Sequence, residues 1–275
     1  MLRILDARTG QPVDAAPARR GLTRVEAHAH GLDLTALRVL LTADLLVRAL
    51  ELGGTPVWTI LGAPRHQAEL RTAATSLAVR PFEDARDLAS GLGEAQVVHV
   101  MAEGASLDVA GDGVAVGVAP VEWAPDHPRA GAARTAGRSG EPGEPGPGAG
   151  GAVAEHGVLL ALSDPAALRL ALLSVPRGTP VRLDTGVLGE AGRRLDGWRR
   201  DVAGWARQPS RPVPEPVRAR LRAACEDDLD APGVLAALRS VATAPDLSDG
   251  ARFETYAYAD RLLALDLTRD IGSLT

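Results

Sequence analysis

Lysine and asparagine are absent from this 275-residue chain, and cysteine occurs once, at Cys225. All 30 cationic side chains are therefore arginine. That excludes a Walker lysine, a Schiff-base lysine and every lysine-dependent signature. Without asparagine no Asn-linked glycan can form. A single cysteine excludes an intramolecular disulfide, a four-cysteine zinc site and a CxxC redox pair, and a reducing cytoplasmic compartment is expected. Apolar runs stop well short of the roughly 20 residues of a membrane span. The start of the chain lacks a basic region followed by an apolar one, so neither a membrane segment nor a secretory leader is expected. The formal net charge is −5, which in bulk does not favour nucleic acid. DNA is not expected as a partner, and any RNA contact needs a local arginine patch.

The chain is 45% hydrophobic, with mean hydropathy near zero, the profile of a soluble protein with a real core. Leu2–Asp6 reads as a short strand ended by a Thr9-Gly10 turn, and Arg24–His28 as a second strand. Leucines at threes and fours predict a helix from Asp33 to Leu52, started by a cap at Asp33 or Thr35 and stopped at Gly53-Gly54. Pro56–Leu61 then reads as a buried strand. This strand–helix–strand unit is the seed of a parallel α/β sheet. Residues 66–92 look helical at both ends with a break at Pro81. Val97–Met101, Val114–Val118 and Val158–Leu162 are further strand candidates.

Residues 125–154 are rich in Gly and Pro and predict a disordered linker. After Asp164 the pattern becomes all helical, with helices at 166–175, about 215–226, 232–241 and 252–266. Between them Leu188, Ala191, Leu195, Trp198, Val202 and Trp205 alternate threes and fours, a bundle-packing face. Arg193, Arg200 and Arg207 repeat every seven residues beside that face. They are candidates for RNA phosphates, or simply a wet helix surface. Glu226, Asp227, Asp228 and Asp230 read as a cap for the helix near Pro232 rather than as a cation site.

Four segments resemble the cysteinyl-tRNA synthetase family of class I synthetases, of which the mycothiol-pathway cysteine ligase is a close relative. They are Leu2–Gly10, Ala43–Val57, Ala167–Ser174 with Arg177–Pro180, and Cys225–Leu238. The resemblance implies a reduced Rossmann-type nucleotide-binding domain (1–124 and 155–163) joined to a helical bundle (164–275). It also implies ATP as cofactor, and a cysteinyl adenylate passed to tRNA or a small amine.

The family's catalytic signatures are not kept. Aligned on Asp44, Asp33-Leu34-Thr35-Ala36 stands where the family carries His-Ile-Gly-His, whose imidazoles hold ATP phosphates at a helix N-terminus. His28, His30 and Gly31 lie just upstream. With Thr35 they are the candidates for ATP and, for the two histidines, catalysis. The alternative for His28 and His30 is two strand-end histidines near solvent. Lys-Met-Ser-Lys-Ser cannot be formed without lysine; Arg134 and Arg138 of the linker are its nearest substitutes. His99 is the one hint of the family's HGGG-type segment. The family's zinc, held by two Cys, a His and a Glu, is not expected with one cysteine. These departures favour a degenerate paralogue, a pseudoenzyme kept as a binding or regulatory protein with a ligand or a protein partner, over an active ligase.

Overall fold

The computed structural model describes residues 1–18, 21–83, 94–106, 113–124 and 157–273. Two short strands, β1 (Arg3–Leu5) and β2 (Pro12–Asp14), open the chain as an antiparallel hairpin. The expected turn lies between them, with Gly10 at φ +67°, a region that favours glycine. β1 does not join the main sheet, which begins with the second predicted strand.

That sheet is formed by β3 (Leu22–His28), β4 (Val57–Gly62), β5 (Glu94–Ala102) and β6 (Val114–Val118). All neighbours are parallel, in the order β4-β3-β5-β6. The helix α1 (Leu34–Leu52) joins β3 to β4, and α2 (Gln67–Ser76) follows β4. The chain moves one way from β3 to β4 and then returns past β3 to β5. The direction reverses between β3 and β5, and open α/β sheets bind ligands outside the carboxyl ends of such a strand pair.

Asp33 caps α1, its carboxylate accepting from the Ala36 N–H at 2.7 Å. Fifteen of the helix's nineteen residues are buried, which makes it a central helix rather than a surface one. Val25, Ala27, Val98, Val100, Val116 and Val118 face the main core, which α1 shares. Met101 and Ala115, in a separate small cluster with Ala105, lie on the other face of the sheet.

β7 (Val121–Trp123) leaves this sheet, and the second half follows: α3 (Pro165–Leu173), β8 (Val181–Leu183), α4 (Thr185–Trp205), α5 (Glu215–Glu226), α6 (Ala231–Thr243) and α7 (Asp249–Leu263). β8 interrupts the expected all-helical run and pairs in parallel with β7. The segment expected as a strand over 158–162 is instead helical over 157–161. Val158 and Ala161 are buried while Leu159 is exposed. A spacing of three, not two, serves that site, and a five-residue apolar run does not reveal which will win. The expected linker and the second helical end of 66–92 lie largely outside the described residues.

Tyr256 anchors the bundle core. It is fully buried, its hydroxyl donates to the Leu238 carbonyl at 3.0 Å, and Trp198 and Trp205 meet its ring edge-on. Asp230 caps α6 through the Gly233 N–H at 2.9 Å, as the acidic turn predicts.

Candidate functional site

The period of two in β3 puts Arg24, Glu26 and His28 on one face and Thr23, Val25 and Ala27 on the other. Glu26 pairs in register with His99 of β5, and His28, at the carboxyl end of β3, with Met101. The parallel register brings His99 against its two neighbours on β3. His28 Nε2 lies 3.0 Å from His99 Nδ1, and the rings stack with centroids 5.2 Å apart. His99 Nδ1 lies 3.7 Å from Glu26 Oε2, and Arg24 Nε is 3.8 Å from the same oxygen. Both imidazoles are buried; the Glu26 side chain is about a quarter exposed.

Two glycines make room for the rings. A Cβ on Gly62 would sit 3.0 Å from His28 Nδ1. One on Gly113 would sit 3.0 Å from His99 Cδ2 and 2.4 Å from the Val97 carbonyl oxygen.

Burial pushes the His99 imidazole down to about 4, helped by His28, Arg24 and Arg8. Burial also lowers His28, against the pull of Glu26 and with the help of His30 and Arg24. At neutral pH both rings are uncharged, so the Glu26–His99 approach is not an ion pair despite its distance. Neutral imidazoles at a sheet's carboxyl edge can accept a proton, share one, or ligate a metal.

The other residues singled out for ATP are placed differently. His30 is exposed, so the expectation of a histidine near solvent describes His30 and not His28. Gly31 adjoins the Asp33 carboxylate. The Thr35 hydroxyl accepts from the Val121 N–H at 3.0 Å and ties β7 to the first turn of α1. The Ala36 N–H at the start of α1 already serves the Asp33 carboxylate, which fits poorly with a phosphate there. Arg38, one turn on, is not available either. Its guanidinium donates to the carbonyls of Ala119, Val175, Pro176 and Thr179. Burial draws it down to about 10, so it stays charged at neutral pH.

Arg193 and Arg200 are exposed on α4, Arg207 is exposed in the turn just beyond its end, and Arg193 is paired with Glu190 at 2.8 Å. Arg134 and Arg138 lie outside the described residues. A two-thiolate zinc centre does not fit: Cys225 lines a separate cavity of about 400 Å3 with Leu2, Leu50, Leu221, Val234 and Leu262. There burial, then Glu226, pushes its thiol up to about 11, so it is a poor nucleophile.

No family model matches the chain. Over 82 residues, 30% of this chain and 18% of the relative, it is 44% identical to the L-cysteine:1D-myo-inositol 2-amino-2-deoxy-alpha-D-glucopyranoside ligase of Parafrankia sp. (strain EAN1pec). Over 75 residues, 27% and 17%, it is also 44% identical to the protein of that name from Streptomyces griseus subsp. griseus. Over these stretches the chain is similar to the cysteine ligases. The similarity agrees with the class I synthetase resemblance and with the parallel sheet. The matched stretch spans less than a fifth of the length of either relative. No described helix is long and apolar enough to cross a membrane.

The sequence singles out His28, and His99 only as a hint of another segment; it shows neither their contact nor the part of Glu26. The alternation Arg24-x-Glu26-x-His28 is a visible signal that Glu26 shares its face. Nothing in the sequence specifies that β5 lies beside β3, or in which register, so the 71-residue separation of His28 and His99 hides their contact.

Proposed function

We propose that this chain is a synthetase-like binding or regulatory protein that has given up adenylate formation. The observation that carries this reading is the Asp33 carboxylate on the first turn of α1, accepting from the Ala36 N–H. Adenylate formation develops negative charge on phosphate, and a class I site meets it with positive donors at this helix start. Here the position holds a negative charge. At an effective dielectric near 20, two unit charges about 5 Å apart repel by about 3 kcal/mol. One lost preorganised donor alone commonly costs about 3–4 kcal/mol of barrier. With lysine absent and Arg38 engaged by carbonyls, no other cation of α1's first two turns replaces it.

The test is cysteine-dependent ATP–pyrophosphate exchange, with ATP binding measured directly. No exchange and weak ATP binding are expected. The competing reading, an ATP-dependent ligase forming a cysteinyl adenylate, draws on His28 and on the exposed His30 beside Gly31. Robust exchange that a His28→Ala/His30→Ala double variant abolishes would establish that reading instead. An RNA partner on the Arg193, Arg200 and Arg207 face is a weaker proposal than a small ligand or a protein, because the net charge is negative and Arg193 is already paired.

A further inference from the structure

The strongest unassigned feature is the trio Glu26, His28 and His99. We propose that these three residues form a site for one divalent transition-metal ion of the zinc class, bound through two imidazole nitrogens and one carboxylate oxygen. This inference stands on one face of the two central strands and not on α1, so it holds whether or not the chain activates an amino acid.

Three observations support it. First, the donor atoms converge: His28 Nε2, His99 Nδ1 and a Glu26 oxygen all lie within 4.8 Å of one another, with 3.0 Å and 3.7 Å for the two close pairs. Two ligands at about 2.0–2.1 Å from a tetrahedral ion stand about 3.3–3.4 Å apart, between those two values. Side-chain shifts of a few tenths of an ångström would complete the geometry. Second, the donor types suit such an ion. Two imidazoles and a carboxylate leave a fourth position for water, and a set without thiolate differs from the two-thiolate centre that the resemblance implies. Third, the donors stand on neighbouring parallel strands, with Gly62 and Gly113 against the two rings, so the fold and not an ion sets their spacing.

Without an ion, the two rings satisfy each other through one N–H···N hydrogen bond, so metal entry replaces a single bond. The partly exposed Glu26 side chain gives the route in. Arg24 and Arg8 both act on His99 and oppose a cation. Glu26 offsets one of them, and its carboxylate lies 3.8 Å from Arg24 Nε. The sequence expectation of no zinc rested on the lone cysteine and on linear ligand spacing, and this trio has neither feature.

The experiment uses the full-length protein stripped with a chelator. Zinc affinity is read by competition with a chromophoric chelator, and cobalt is added as a visible-absorption probe. About one equivalent of zinc is expected, with a cobalt spectrum of low coordination number. Glu26→Gln, His28→Ala and His99→Ala should each weaken zinc at least tenfold, since even partners behind the ligands commonly matter by about 10–100-fold. His30→Ala and His66→Ala should change it by less than about twofold. Substoichiometric uptake by the wild type under excess zinc would overturn the proposal, as would unchanged affinity in Glu26→Gln. Should a histidine variant fail to fold, Glu26→Gln carries the test, because its side chain reaches solvent. A zinc-dependent rise in wild-type Tm that Glu26→Gln abolishes is the second readout.

Discussion

Asp44 Oδ2 of α1 meets Arg169 Nη2 of α3 at 2.7 Å, with both side chains sealed from solvent. Arg48 Nε shares the same oxygen at 2.8 Å, and the other carboxylate oxygen accepts from the Arg80 N–H. Arg169 also donates to the carbonyls of Leu77 and Leu263. One buried ion pair thus joins the central helix, the start of the bundle and the end of α7. Arg169→Leu should cost about 3–5 kcal/mol, because it leaves a buried charge short of its partner. Replacing both residues by apolar ones should cost less than the sum of the two single changes. Urea unfolding of the two singles and the double decides this.

Asp33 separates capping from charge. Asparagine caps a helix about as well as aspartate. Asp33→Asn should therefore leave stability within about 0.5 kcal/mol while strengthening ATP binding at the start of α1. Unchanged ATP affinity in that variant, by calorimetry, would show that the carboxylate is not what keeps phosphate out.

The two bundle tryptophans should differ. Trp198 is buried, whereas Trp205 is half-buried with the Arg252 guanidinium 5.9 Å from its ring centroid. Trp198→Ala should cost about 3–5 kcal/mol and Trp205→Ala clearly less. Arg193→Ala and Arg200→Ala, on the exposed face, should each stay within about 0.5 kcal/mol. Thermal melts of the four variants give the ranking.

Cys225 should be slow to alkylate. With its thiol pushed up to about 11, the thiolate fraction at pH 8 is about a thousandth, against about a quarter for a free thiol near 8.5. Iodoacetamide should therefore react roughly two orders of magnitude faster in denaturant than in the native protein. The same shift has a stability consequence. The folded pKa is raised, so this group's contribution is intact below the unfolded value and is lost as pH rises from about 9 towards 11. Cys225→Ala should flatten that alkaline decline.

The unit β3–α1–β4 was legible in the sequence because three independent signals agreed: a period of two, then of three and four, then a cap at Asp33 and a stop at Gly53. Val114–Val118 was legible from its alternating valines. The three-residue strand β8 was not, since Val181–Leu183 is too short to carry a period and exists because β7 lies beside it. The 157–161 helix was misread for the same lack of length. Of the site, His28 stands out by residue type, while Glu26, though it shares the alternation of β3, is not among the residues the sequence singles out. His99 came into it only through sheet order, which local pattern does not encode. The buried roles of Arg38, Asp44 and Arg169 were hidden as well, because a charged residue in a helix defaults to the wet face.

The four carbonyls gathered by Arg38 bear on how this chain can evolve. An ammonium group has three donors and no planar fork. Arg38→Lys would strand at least one of the Ala119, Val175, Pro176 and Thr179 oxygens without its side-chain partner. The arginine-only composition of the chain is therefore not a neutral choice at this position, because the neighbouring loops present more carbonyls than a lysine could engage.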